Sequence, residues 1–332
     1  MRIVLNTLAI VMICLSSFGQ DIHFSQYNLT PLLVNPAQAG AYKNVEVIAN
    51  YKSQWTSIDP DAYKTMMVCA DGRLLQEKWR TKWLSAGVMF FNDQAGPANV
   101  QTMQGNLFLG YHMQLNPKNI FGASLEAGFA QRSIDYNKLV WEESTDPKIS
   151  SGTNSFGYPD FGIGLLYQYT KGQAYAKEND MIIVRAGFAI SHLTTPSYSF
   201  FNGGEKLYPK ITGHVDALIG IKNTKFGLVP GFLYKGQGPA SEIFPGCYFR
   251  YMISDNTGKV KGGSSIMIGT HLRVKDAFIP SVQFEYGDYT LGMSYDLNTS
   301  GFSSATSGKG GFEIALRWGM NPSTAKSSAS FD

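Results

Sequence analysis

The chain has 332 residues, of which 16% are charged and 13% aromatic, with 35 glycines and a formal net charge of +3 at pH 7. A charge so small and scattered, with no basic run, excludes a nucleic-acid partner. The composition suits lipid-facing strands joined by tight turns better than a soluble enzyme, and after the first twenty residues no stretch reaches the ~18 apolar residues of a spanning helix.

Met1 to Gly19 reads as a secretory signal. Arg2 gives the positive start, Ile3 to Leu15 the apolar stretch, and Ser17-Phe18-Gly19 the small residues before the cleavage point, so Gln20 is expected first in the mature chain. About 13 apolar residues are too few to cross ~30 Å of hydrocarbon as a helix. Cys14 leaves with this segment, and Ile13 before it is too large for a lipoprotein signal. Cys69 and Cys247 remain, both in predicted strands; apolar packing is expected for each, and whether they pair stays open.

Residues 20–42 are polar and aromatic without clear period. They contain Phe24-Ser25-Gln26-Tyr27, Pro31 and then Asn35-Pro36-Ala37 with Gly40. The prolines bias the residues before them toward extended backbone, and Gly40 permits a sharp turn. The segment is either a linker making periplasmic contacts or a plug folded into a barrel wide enough to admit it.

From residue 43 the chain alternates apolar and polar side chains. In Tyr289 to Asn298, Tyr289, Leu291, Met293, Tyr295 and Leu297 fall on one face and the polar residues on the other. This pattern predicts strands at 43–53, 62–71, 84–92, 100–114, 119–132, 159–170, 181–193, 209–222, 226–236, 240–253, 263–274, 278–286, 289–297 and 310–320. About fourteen antiparallel strands behind an export signal predict an all-β transmembrane outer-membrane barrel over 43–320, with a polar tail at 321–332 and both termini periplasmic. Turn chemistry at 116–119, 223–225 and 287–288 marks the periplasmic side. The long connections 133–158, 194–208 and 298–309 are assigned to the exterior. There Tyr136, Trp141, Tyr198, Phe200, Phe201 and Tyr208 are candidate contacts for a protein partner.

Aromatics near strand ends, Tyr51, Trp55, Trp79, Trp83, Tyr111, Tyr167, Tyr169, Tyr286, Tyr289 and Trp318, predict two girdles at the membrane surfaces. If the apolar face meets lipid, the opposite face gathers Glu46, Glu126, Arg185, Asp216, Arg250, His271, Arg273, Glu285, Asp296, Glu313 and Arg317 in the lumen. Both signs are present, so the one-sided ring of an ion-selective pore is not predicted. The sequence carries no catalytic set. The five histidines are isolated, there is no phosphate loop or Gly-x-Ser-x-Gly elbow, and Ser191 and His192, being neighbours in a strand, point to opposite faces. No enzyme activity, metal or cofactor is expected.

The ordered landmarks Phe24-Ser25-Gln26-Tyr27, Asn35-Pro36-Ala37, Gly40, Trp55, Tyr286-Gly287-Asp288, Tyr295-Asp296-Leu297-Asn298 and Gly310-Gly311-Phe312-Glu313 resemble the PorP/SprF outer-membrane proteins of the type IX secretion system of Bacteroidetes. The resemblance implies a barrel that supports secretion or surface display of exported proteins, in some members gliding adhesins. Its implied partners are other outer-membrane and periplasmic components of that system, the cargo or adhesin, and membrane lipid. Two alternatives are a FadL-like transporter of hydrophobic small molecules, which also combines fourteen strands with an N-terminal hatch, and a general porin.

Overall fold

A strand with one apolar and one polar face needs lipid on one side and polar company on the other, and in a bilayer it cannot leave a sheet edge unpaired. The computed structural model meets both demands with a closed barrel. It describes residues 21–56, 62–75, 79, 81–138, 154–172, 179–200, 204–254, 263–301 and 303–320. The expected signal 1–19, the tail 321–332, Trp141 and Phe201 lie outside the described residues.

The fourteen strands are β1 (Val45–Gln54), β2 (Tyr63–Leu74), β3 (Lys82–Ala95), β4 (Val100–Asn116), β5 (Asn119–Ser133), β6 (Ser155–Lys171) and β7 (Ile182–Ser191). They continue as β8 (Lys210–Gly220), β9 (Phe226–Gln237), β10 (Ala240–Ser254), β11 (Ser264–Arg273), β12 (Ala277–Tyr286), β13 (Tyr289–Asn298) and β14 (Lys309–Met320). Each pairs antiparallel with its neighbours, and β1 closes on β14 from Val45 opposite Met320 to Gln54 opposite Gly311. Each predicted strand is present, with ends moved by a few residues. β7 stops earlier than expected because His192 takes a left-handed φ of 58° that ends the extended run.

The rim where Val45 meets Met320 is the terminal end of the barrel, and the turns at 117–118, 221–225 and 287–288 share it. The long connections 134–154, 192–209 and 299–308 lie at the far end. Tight turns are not confined to the terminal end, since 96–99, 238–239 and 274–276 are also short and lie at the far end.

The outer wall is apolar. Leu107, Leu109, Leu125 and Ile268 are each more than 60% exposed, an area far too large for a soluble surface and right for a lipid belt. Cys247 is on this outer wall, whereas Cys69 is buried in the lumen, so both are free. The expectation of buried packing holds for Cys69 and is corrected for Cys247, which shares its parity in β10 with the outward-facing Ile243, Phe249, Tyr251 and Ile253. Trp83 is also corrected. It faces inward, 2% exposed, and is no part of a girdle.

Strand prolines leave gaps in the ladder. Pro230 stays in register with Cys247 of β10, but on its other side the β8 pairing skips from Asp216–Gly231 to Ile219–Leu228. Pro280 does the same toward β13, where pairing skips from Phe278–Leu297 to Ser281–Ser294. A proline has no N–H to give, so each interruption falls where that donor is missing.

Candidate functional site: a plugged lumen

Residues 21–44 run through the barrel from one end to the other. At the far end the Asp21 N–H donates to Gln237 Oε1 (3.1 Å), and its carboxylate accepts from Lys210 Nζ (2.6 Å). At the terminal end the Asn44 N–H donates to the Met320 carbonyl (2.9 Å). The barrel strands therefore begin and end on one side, as expected, but the described chain starts on the other. Asp21 itself lies at the far rim.

Local sequence shapes the segment into three short helical turns, Tyr27–Leu29, Pro31–Val34 and Pro36–Gln38. Pro31 and Pro36 each occupy the first position of a turn, where a missing N–H costs nothing. Asn35 caps the third turn, its Oδ1 accepting from the Ala37 N–H (2.9 Å). Its Nδ2 donates to the Leu165 carbonyl (2.9 Å) and to His214 Nε2 (3.1 Å). Gly164 and Gly187 in the wall make room for this amide, since a Cβ on either would collide with it.

Gly40, with φ of 58°, turns the chain into its seat at the terminal end. Its N–H donates to Asp71 Oδ2 (2.6 Å), and its carbonyl accepts from Arg73 Nε and Trp83 Nε1, each at 3.0 Å. His112 Nε2 reaches the Ala39 carbonyl at 2.9 Å. Four wall side chains thus bind the backbone of a two-residue corner.

The first landmark is held as closely. Phe24 packs among Ile48, Met67, Met89, Phe91 and Phe108. Glu313 accepts the N–H groups of Ser25 (2.6 Å) and Gln26 (3.0 Å). Ser25 Oγ donates to Asp296 Oδ1 (2.6 Å), and Lys52 Nζ donates to Ser25 Oγ (2.9 Å). Asp296 also accepts from Arg273 Nη2 (2.8 Å) and lies 3.4 Å from Lys52. These charges are buried almost completely, Lys52 and Asp296 at 1% and 2%, and a buried charge survives only with such partners. Tyr27 meets Phe244 and His271 edge to face, with centroids 5.5 Å apart in both cases.

A second cluster fixes Asp21. His192 lies between Asp21 (Nε2 to Oδ2, 2.7 Å) and Asp160 (Nδ1 to Oδ2, 2.9 Å). Burial alone would lower its pKa, but the two carboxylates more than offset that and push it up to about 9. Burial likewise opposes ionisation of Asp21, yet Lys210 and His192 hold its carboxyl well below the ordinary range. His23 goes the other way. Burial and then Arg273 push it down to about 4 against the pull of Glu242, so at neutral pH an uncharged ring meets Glu242 at 3.1 Å.

Each of the predicted lumen charges faces inward, but they do not form one site. Glu313, Asp296 and Arg273 hold the plug. Glu126 pairs with Asn106 beside the Asp160 cluster. Arg185, Asp216, Arg250, Glu285, Arg317 and Glu46 border a cavity of about 240 Å³ in the terminal half, between the plug and strands β7–β12, β14 and β1. Arg185 lies over the Tyr42 ring, 4.2 Å from its centroid. Lys52, Asp71, Lys210 and Glu242 were missed, although they occupy inward positions of their strands and the same alternation points to them. Among the described residues no group of His, Cys, Asp or Glu is gathered as a cation site.

The candidate loop contacts that the structure describes differ in their surroundings. Tyr198 packs edge to face against Phe156 and Tyr158 with Arg132 stacked on it at 4.6 Å, and Phe200 meets Phe156 at 5.0 Å. Leu207 is buried with Tyr158 and Ala130. Tyr198, Phe200 and Leu207 therefore pack onto β5 and β6. Tyr136 is half-buried in the turn Tyr136–Lys138, and Tyr208 is exposed.

A closed fourteen-strand barrel with an apolar belt and a lumen filled by its own N-terminal segment defines the class: a plugged outer-membrane β-barrel. The family model for the type IX secretion system membrane protein PorP/SprF matches residues 16–318, and the chain belongs to that family. No curated protein matches it. Among solved structures it is similar to the toluene transporter TbuX of Ralstonia pickettii (9% identity, 87% of this chain and 93% of that one, TM-score 0.47). It is also similar to a FadL homologue of Pseudomonas aeruginosa (8%, 86% and 93%, 0.44) and to the translocator domain of the autotransporter NalP from Neisseria meningitidis (12%, 90% and 96%, 0.36).

Proposed function

We propose that this barrel supports secretion or surface display of exported proteins, gliding adhesins among them, by binding protein partners, and that it catalyses no reaction. Family membership implies other components of the type IX system as partners. The observation that carries the reading is the plug: a lumen crossed by a segment with wall contacts from Asp21 to Asn44 is built to hold still, and an open diffusion pore has no use for it. In this reading the terminal end faces the periplasm and Asp21 lies toward the exterior. The charges of both signs around the remaining cavity fit polar protein contacts better than the apolar tunnel that a carrier of hydrophobic solutes needs.

Deletion of the gene, with exported enzymes and adhesins quantified in medium and on the cell surface, tests the role. Loss of one or both classes is expected; unchanged secretion and display overturns it. Purification from membranes in mild detergent is expected to bring down large secretion components.

A further inference from the structure

Two groups of ion pairs lie in the lumen. Those that hold the plug run from 2.6 Å for Lys210–Asp21 and 2.8 Å for Arg273–Asp296 to 3.4 Å for Lys52–Asp296. Those around the terminal-half cavity are slack: Arg185–Asp216 and Arg250–Glu285 at 3.3 Å, Arg317–Glu285 at 3.6 Å and Arg317–Glu46 at 3.8 Å. The side chains of Arg185, Asp216, Arg250, Glu285 and Arg317 keep 20–30% exposure, so they face the cavity and not one another alone. Slack pairs have donor directions left over. An Arg has five N–H groups in a planar fork that fits a carboxylate, and a loosely held guanidinium accepts a second one readily.

The cavity's balance of charge is positive. Lys43, Arg185, Arg250 and Arg317 line it against Glu46, Asp216 and Glu285. Its 240 Å³ leaves room for a short length of chain. Amide side chains complete the lining. Asn28 and Gln283 exchange hydrogen bonds with each other (3.1 and 3.2 Å), and Gln38 lies close by. Amide groups match the donors and acceptors of a peptide backbone, as guanidinium groups match its acidic side chains.

We propose that this vestibule is a binding site for an acidic polypeptide segment, its carboxylates received by Arg250, Arg317 and Lys43 and its backbone by Asn28 and Gln283. The site deepens the protein-binding reading above, which it takes as its context, but it is measured on purified protein and so stands or falls separately from the secretion assay.

Fluorescein-labelled triglutamate, trilysine and amidated triserine are titrated with the full-length protein in detergent micelles and followed by anisotropy. Triglutamate is expected to bind at least tenfold tighter than the other two and to weaken steeply with salt. Arg250→Gln is expected to weaken it at least fivefold. Asn28→Trp, which fills the cavity and leaves every charge in place, is expected to abolish binding while the unheated barrel keeps its fast gel mobility. Triglutamate bound no better than trilysine, or equally well by a folded Asn28→Trp protein, overturns the proposal.

Discussion

Ser25 and Asp296 stand 271 positions apart and are joined by a 2.6 Å hydrogen bond from the serine hydroxyl to the carboxylate. The bond ties the start of the chain to β13. It also explains why Phe24-Ser25-Gln26-Tyr27 and the late landmarks around Asp296 and Glu313 occur in one sequence: they are two halves of one contact. Asp296 pairs with both Lys52 and Arg273, and Arg273 also pairs with Asp276. Asp296→Ala leaves two buried cations short of a partner, with a cost of about 3–5 kcal/mol. The temperature at which the barrel loses its fast mobility in unheated gels is expected to fall clearly, and to fall less for Ser25→Ala, which removes the two hydrogen bonds of one hydroxyl but leaves Lys52 and Arg273 paired with Asp296.

Gly40 predicts a sharper local effect. A Cβ there would lie 2.6 Å from Ser85 Cβ and 2.7 Å from the Gly72 carbonyl, on a residue already at positive φ. Gly40→Val is expected to expel the corner from its seat against Asp71, Arg73 and Trp83, at a cost above about 2 kcal/mol. Limited proteolysis should then cut within residues 21–44, where the wild-type chain resists.

The pH dependence has two arms. His192 has its pKa raised to about 9, so its stabilising charge is fully present below the unfolded value near 6.5 and is lost as pH rises through 9. His23 has its pKa lowered to about 4, so the unfolded chain takes up a proton that the folded one refuses as pH falls from about 6.5 toward 4. Stability from these two groups is therefore greatest near pH 6.5. Melting followed from pH 4 to 10 checks both arms. His192→Gln should remove the alkaline decline and leave the acidic one, and His23→Gln the reverse.

The two cysteines report the two faces. Cys247 is exposed on the outer wall, and Cys69 is buried in the cluster around Phe24. A lipophilic maleimide should label Cys247 in membranes quickly and Cys69 hardly at all. A variant lacking residues 21–42 should expose Cys69 to a water-soluble maleimide.

The wall of this barrel was legible because strand period is a local signal. Alternation within ten residues identifies which side chains face inward, and Glu313 or Arg273 needs no distant information to be assigned to the lumen. Trp83 shows where the reading stops: its indole looks like a girdle residue by composition and only its parity in β3, together with the Gly40 carbonyl that it serves, places it inside. The plug was legible as a possibility and no more. Residues 21–42 have no period, and their seat is made of partners from 27 positions away, as Lys52 is from Ser25, to 288, as Glu313 is from the same residue. The direction of the segment, with Asp21 at the far end, follows from those pairings alone. The packing of Tyr198 onto the wall was hidden for the same reason, since it finds Phe156 and Arg132 only after β5, β6 and β7 have closed.

The central claim is that the lumen is occupied by residues 21–44 and does not conduct. Single-channel recording in planar bilayers tests it most directly, with the wild-type protein beside a variant lacking residues 21–42. Wild-type protein without steady ohmic channels, and a variant with large stable ones, is the predicted result. Large stable channels of the same size from both proteins would contradict it.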